Sequence, residues 1–595
     1  MPGLIPLGKA RLRRPSRILS AFTIAALGTL ALHGCGSNDN DDDGKGSAVL
    51  LQNAQTCAAL GGKTIPAAAI GEASQGAVVT SATYQAAAPD VVNAGAGTVT
   101  QATPDYCRLL VDIKPVDAAA PLIKLQVNLP TSWNGKKLQF GGAGYNGTLV
   151  TGLDVSRNAP PDVPLPLTSG YMTAGTDSGH QVQAGVEVQA FALNDEALVN
   201  FGYAAYKKTH DVAIEMGLAY YGKRPTKSYY MGGSEGGREG MMMAQRYPAD
   251  YDGIVSLDPV MNWSGLQTFG NQVGGILQSA PGAWLGGKAQ LVHDTVMTAC
   301  DVLDGITDSV VSNYLGCKAP ADAALAALRC PSGTDEGASC LSTAQLGVVN
   351  ALHSGYRFNF PLANGVTAYA GFGYGGENLP GNWSNWIVGT VLPAFTAAPN
   401  IPGINNVFNF GNGYVRYFIA KSKDFNPLTY NPDNFQARVL QVSSIMDATN
   451  PDLSAFFARG GKLIIKEDMS DNAQSPYTGL NYWNAVVSRL GRETVEKSFV
   501  AYANPGLPHT SNGTAAGTAN APPYGIPGRI NLLGQLENWV ENGVKPAEQL
   551  TITANAALPP YAVTAAKALC RYPLYPRFNG SGAATAAQSY TCVAT

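Results

Sequence analysis

The sequence predicts an α/β fold, a largely parallel sheet with helices on both faces, and three observations carry the prediction. Short apolar runs alternate with helical stretches, several runs end in glycine-rich turns, and one run passes straight into a Gly-x-Ser-x-Gly turn that opens a helix. In chain order, residues 122–129 alternate as Leu-Ile-Lys-Leu-Gln-Val-Asn-Leu, as a strand does. Residues 137–140 form a second strand, closed by Gly141-Gly142-Ala143-Gly144, and 171–174 a short third. Apolar residues at helical spacing predict a helix over about 195–221, stopped by Gly222. Residues 228–231 then read as strand, 238–246 as helix and 253–257 as a buried strand. Between about 266 and 440 the pattern breaks into sequence rich in Gly, Asn, Pro and aromatics that holds four cysteines. That stretch reads as an insertion, stapled because its own core is thin. Strands resume at 461–466 and 498–502, and a helix over 529–540 is ended by Gly543 and Pro546. A Gly/Ala/Thr-rich lead reaches to about residue 105, and no internal repeat is found.

Composition removes whole classes of function. Of 595 residues, 45% are apolar and 9% aromatic, enough for a core and too many for a disordered chain. The charged fraction is 14%, well below the usual value of about 25%. A net charge of −3 with no basic block argues against nucleic acid. The length predicts one large elaborated domain or two to three smaller ones.

The N-terminus carries Lys9, Arg11, Arg13, Arg14 and Arg17, then an uncharged stretch over 18–32, too short to span a bilayer comfortably. This is the layout of a signal peptide over residues 1–34. It ends Leu32-His33-Gly34-Cys35, which resembles a bacterial lipobox, so Cys35 is the candidate lipidation site; ordinary cleavage is the alternative. The polar run after it makes 35–50 a flexible tether. Eight cysteines remain: Cys57, Cys107, Cys300, Cys317, Cys330, Cys340, Cys570 and Cys592. An even set in an exported chain reads as disulfides, and no C-x-x-C or nearby His supports a metal. Eight cysteines allow on the order of 100 pairings; their clustering suggests 57–107, 300–317, 330–340 and 570–592.

The chemistry begins at Gly232-Gly233-Ser234-Glu235-Gly236. A sharp strand-to-helix turn needs glycines, because the nucleophile sits in a strained conformation and backbones approach closely. Ser234 is therefore the candidate nucleophile. Of six histidines, His33 leaves with the signal, His210 falls within a helix, and His293 and His353 lie in the insertion. His180, in a loop after a strand, is a secondary candidate base. His509 stands in a loop after a late strand and before the last helix, where an α/β-hydrolase keeps its histidine. Glu467, Asp468 and Asp471 close the strand 461–466, and spacing does not separate Asp468 from Asp471 as the acid.

These motifs resemble the tannase and feruloyl esterase family of α/β-hydrolases, which also holds mono(2-hydroxyethyl) terephthalate hydrolases. Matching stretches are 141–147, 176–180, 232–239, 252–259, Asn450-Pro451-Asp452-Leu453, 459–465 and 505–509, and the likeness runs from about residue 50 to the C-terminus. The resemblance implies an α/β-hydrolase domain over 51–265 and 441–595, with a lid inserted at 266–440. It favours Asp471 over Asp468 and matches the four cysteine pairs. The family's further pair, before the serine and after the histidine, is replaced here by Gly233 and Thr510. The oxyanion hole is expected from the N–H of Glu235 and from Gly142 or Ala143 in the glycine run.

Read alone, Asp301, Asp304 and Asp308 make either an acidic turn or a calcium site. The resemblance implies structural Ca²⁺ held by their side chains and by the carbonyls of Ile306 and Val310. In the insertion, Trp383, Trp386, Arg416, Tyr417 and Phe418 are candidate substrate contacts. The expectation is an exported, lipid-anchored serine ester hydrolase acting on small esters of phenolic or terephthalic acids through an acyl-enzyme. Its membrane contact would be the N-terminal anchor alone, and the sequence sets no oligomeric state. Two rivals are a hydrolase of aliphatic hydroxyacid oligomer esters and a non-catalytic ligand-binding surface lipoprotein.

Overall fold

Twelve strands form one sheet in the computed structural model, which describes residues 52–389 and 405–595. The expected signal peptide 1–34, tether 35–50 and Cys35 lie outside the described residues. In chain order the strands are β1 (Thr64–Ile65), β2 (Ala77–Gln85), β3 (Tyr106–Ile113), β4 (Ile123–Pro130), β5 (Lys136–Phe140), β6 (Met172–Thr176), β7 (Lys227–Gly233), β8 (Gly253–Leu257), β9 (Lys462–Asp468), β10 (Phe499–Asn504), β11 (Gln549–Asn555) and β12 (Val563–Arg571). Their spatial order is β1-β2-β3-β4-β6-β5-β7-β8-β9-β10-β12-β11. The six central strands, β6 to β10 in that order, are parallel. Antiparallel strands extend both edges.

The central strands are buried on both faces, so their residues sort by parity. Tyr230, Ile254, Leu463, Ile465 and Ala501 pack on one side with the methionines of α2 (Glu235–Arg246) and with Trp483 of α4 (Tyr477–Leu490). Tyr229, Met231, Val255, Ile464 and Val500 pack on the other with Leu533, Leu536 and Trp539 of α5 (Leu532–Asn542). The predicted long helix forms as α1 (Ala205–Tyr221), preceded by a π turn over Asn200–Ala204 and stopped by Gly222 in the left-handed region.

One segment that the sequence left without strands holds one, and one expectation needs correction. The Gly/Ala/Thr-rich lead is part of the sheet: β2 pairs along β3 and buries Val79 against Leu109 and Val111, while Cys57–Cys107 ties its first helix to β3. Small residues there hid an ordinary amphipathic strand. The inserted stretch, in turn, does not have a thin core. Between β8 and β9 the described residues add no strand to the main sheet, yet Trp263, Phe269, Tyr369, Phe372, Trp383, Tyr414, Phe418 and Met446 belong to one continuous buried cluster. Those aromatics are scattered through separate helices (among them α3, Trp263–Ser279) and loops, so they leave no common period in the sequence. The four disulfides pair as expected: 57–107, 300–317, 330–340 and 570–592.

Candidate active site

The carboxyl ends of the parallel strands hold the site. β7 runs into Ser234, whose φ of 59° and ψ of −123° lie outside the usual regions for a non-glycine residue. The turn is held by Ser234 N–H donating to Leu257 O at 2.8 Å, and by Ser234 O accepting from Arg238 N–H at 3.1 Å. A Cβ at Gly232 would meet Gly236 O at 2.3 Å, and one at Gly236 would meet Gly142 O at 2.6 Å. Glycine at these two positions is therefore what lets the chain after β5 lie against the start of α2. Ser234 is left half-buried at the mouth of that helix.

His509 arrives on the loop after β10 and Asp471 on the turn after β9. His509 Nδ1 lies 2.5 Å from Asp471 Oδ2. The other carboxylate oxygen of Asp471 accepts N–H groups of Ala473 at 2.8 Å and Gln474 at 3.0 Å. Burial disfavours a charged His509, but the Asp471 carboxylate, joined by Asp258 and Asp468, outweighs it and holds the imidazole above its ordinary 6.5. Asp468 faces elsewhere: it forms a fully buried ion pair with Lys466 and accepts from Asn504 Nδ2 at 3.0 Å. The ambiguity left by spacing thus resolves in geometry: Asp471 is the carboxylate that meets His509. His180 is buried, hydrogen-bonded to Tyr145 O at 2.8 Å and stacked on Phe191, and burial pushes it down to about 4. It faces the core.

Ser234, His509 and Glu235 open into one cleft, about 430 Å³ including the space open to solvent, walled by Trp263, Leu266, Trp386, Val407 and Phe410, with Gln267 also on its surface. Of the five expected contacts, Trp386 alone lines it, its ring 6.1 Å from that of His509. Trp383 is fully buried in the core. Arg416 is locked by Glu187 at 2.7 Å, Asn412 Oδ1 at 2.7 Å and Lys423 O at 3.1 Å, and Tyr417 donates to the same Glu187. Phe418 packs on Trp263. All six residues of the π turn Tyr414–Ile419 are buried, which turns these three side chains inward. Trp263, Leu266 and Gln267 were missed, and their one signal was their place directly after the strand 253–257.

The glycine run behaves differently from expectation. Gly142 N–H donates to Glu239 Oε2 at 3.2 Å and Ala143 N–H to Asn146 Oδ1 at 2.7 Å, so both expected donors are engaged. Gly144, at φ 57°, lines the cavity, and its N–H, like that of Glu235, has no acceptor among the described residues. Glu239 fixes this loop: it also accepts from Tyr230 O–H at 2.5 Å and Asn146 Nδ2 at 2.8 Å, and burial raises its pKa. Glu235 and Arg238 form a buried ion pair, and Arg238 donates to Gly202 O at 2.8 Å, Phe201 O at 3.1 Å and Met446 O at 3.1 Å. Two of those carbonyls belong to the π turn before α1, whose widened pitch frees them.

At the acidic turn, Asp301 accepts N–H groups from Asp308, Ser309 and Val310 at 2.9–3.3 Å. Asp308 Oδ2 accepts from Lys567 Nζ at 2.5 Å and Tyr524 O–H at 3.0 Å. Asp304 Oδ2 and Asp308 Oδ1 are buried and lack partners among the described residues. Burial pushes Asp304 up to about 7, with Asp308 beside it adding to the rise. Two orphaned carboxylate oxygens, in a cluster that Lys567 neutralises only in part, offer the all-oxygen donor chemistry that suits Ca²⁺, although as they stand the three carboxylates do not all bring ligand atoms within 4.8 Å of one another and both oxygens of Asp301 accept backbone N–H groups.

Strand order, elbow and cavity together define an α/β-hydrolase. The profile of the family described as tannase and feruloyl esterase matches residues 107–593, and the chain belongs to that family. It is a carboxylic ester hydrolase. An uncharacterised esterase of Agrobacterium fabrum is 32% identical over 90% of this chain and 92% of its own length. The mono(2-hydroxyethyl) terephthalate hydrolase of Piscinibacter sakaiensis is 28% identical over 87% and 88%. The crystal structure of feruloyl esterase B from Aspergillus oryzae superposes with a TM-score of 0.69 at 23% identity, covering 91% of this chain and all of that one.

Proposed function

We propose that Ser234, His509 and Asp471 form a catalytic triad that hydrolyses esters of aromatic acids through an acyl-enzyme. The observation that carries it is the His509–Asp471 pair opening with Ser234 into one aromatic-walled cavity. Ser234 Oγ attacks the ester carbonyl while His509 takes its proton and passes it to the leaving alcohol. Asp471 orients the imidazole and stabilises its charged form. The N–H groups of Glu235 and Gly144 hold the oxyanion, since those of Gly142 and Ala143 are already engaged. Water activated by His509 then releases the acid.

Trp263, Trp386 and Phe410 favour an aromatic acyl group over an aliphatic hydroxyacid oligomer. No Lys or Arg lines the cavity among the described residues, and residues 390–404 contain no charged side chain. A free carboxylate on the acyl group would therefore enter unpaired. Neutral phenolic acyl esters should exceed terephthalic half-esters in kcat/KM by at least about 100-fold, and a panel of both measures it. The stretch 266–440 acts as a substrate-selecting lid over the site.

A fluorophosphonate probe tests the triad. Wild-type protein should label at Ser234 and Ser234→Ala should not; no labelling of the wild type would favour a ligand-binding role, and equal labelling of the two would sink Ser234 as the nucleophile. The acidic turn would hold Ca²⁺ through Asp301, Asp304 and Asp308 with the carbonyls of Ile306 and Val310, bracing a loop closed by Cys300–Cys317. The four disulfides support folding in an oxidising compartment, in keeping with export.

A further inference from the structure

The loop that carries His509 has to be held in register with the turn that carries Asp471, and Asp258 touches both. It follows β8 directly, is fully buried, and has φ 44°. Its own N–H donates to Lys466 O at 2.8 Å. Its Oδ1 accepts the N–H of Asp468 at 2.6 Å, and its Oδ2 accepts the N–H of Thr510 at 2.9 Å. One carboxylate thus ties the end of β9, three residues before Asp471, to the residue after His509.

The need for such a tie is visible at Thr510. Its φ of 50° is a strained value for a β-branched residue, which persists only where the surroundings impose it. Its side chain faces Gly233, where an added Cβ would lie 3.2 Å from Thr510 Cγ2, and lines a cleft shared with Arg157 and Asn512. The next residue is held by Asn158 Nδ2 donating to Ser511 O at 2.8 Å, beyond the imidazole.

We propose that Asp258 is a positioning residue for this hydrolase, a carboxylate latch that fixes the His509 loop against the Asp471 turn. The inference rests on the reading of Ser234, His509 and Asp471 as the triad. Three carboxylates, Asp471, Asp258 and Asp468, act on His509, while buried Lys466 pairs with Asp468 and lies near Asp258 and Glu467, the last a buried acid that Asp258 and Asp471 also face. Removing the Asp258 charge therefore also weakens the hold on the imidazolium proton.

The test is Asp258→Asn in the full-length protein, whose amide presents either a poorer acceptor or an N–H to the N–H of Thr510. The expected result is a fall in kcat of about 10- to 100-fold with KM within about twofold, since the cavity walls are untouched. The acid limb of kcat/KM should move to lower pH. Closing Gly233→Cys and Thr510→Cys as a disulfide in that background should restore kcat, whereas Gly233→Ser with Thr510→Ser should not. Should Asp258→Asn alone fail to fold, the triple variant carrying the closed cystine gives the same reading through its kcat. Full kcat with an unshifted limb in Asp258→Asn overturns the latch, and so does a folded, oxidised triple variant whose kcat stays low. Fluorophosphonate labelling of Ser234 in every variant keeps the two readings apart: its absence from the wild type would remove the triad, while its presence leaves kcat to decide the role of Asp258.

Discussion

Asp468 and Asp471 stand three residues apart, and burial with partners gives them different tasks. Asp471→Asn should lower kcat by about 10³- to 10⁴-fold with little change in Tm, because it leaves His509 without its orienting carboxylate. Asp468→Asn should act on stability instead, since it removes the contact partner of buried Lys466 and leaves only the neighbouring Asp258 and Glu467 carboxylates to balance it, a loss of up to about 3 kcal/mol read by denaturant unfolding. The sign of the pH dependence follows from His509. The imidazole must be neutral to take the Ser234 proton, and Asp471 holds it above 6.5, so the acid limb of kcat/KM should fall above that value and move down in Asp471→Asn. The stabilisation from this pair runs the other way: present below 6.5, lost as pH rises through the folded value. Ser234 and His509 were legible because a strained turn and a late loop leave marks in sequence. Glu239 and Asn146 were not, since nothing local says that a helix glutamate will close on a glycine run more than ninety residues earlier.

At the scale of elements, the elbow is a meeting of two backbones. Gly236→Ala would drive a methyl to 2.6 Å from Gly142 O, with no flexible side chain to yield. It should cost both activity and stability, measured as lost fluorophosphonate labelling and a lower Tm. The strands 122–129, 137–140, 171–174, 228–231, 253–257, 461–466 and 498–502 were all readable, because buried strands show as apolar runs or alternation. β2 was missed for its small residues, and β11 and β12 for following what reads as the terminal helix. The pocket residues on the Tyr414–Ile419 turn were misread for another reason. Aromatic and cationic side chains look alike in sequence whether they face a cavity or a core, and the π turn there decides in favour of the core.

For the molecule as a whole, the expected calcium and the disulfides make separable predictions. Chelation by EDTA should lower Tm by several degrees and excess Ca²⁺ should restore it; an unchanged Tm would count against the site. Each disulfide should contribute roughly 3–4 kcal/mol by restricting the unfolded chain, so reduction should lower stability well beyond chelation. The sequence by itself pointed to the hydrolase class, to Ser234 and His509 as candidate nucleophile and base and, through their clustering, to the four cysteine pairs, because each leaves local patterning around a strand end or spacing along the chain. Only the tertiary structure decided that Asp471 and not Asp468 meets His509, that Arg416 and Tyr417 close on Glu187, and that Asp258 bridges two catalytic loops. Those outcomes depend on which side chains converge across β8, β9 and β10 and across the inserted stretch, where contact distance is unrelated to separation along the chain.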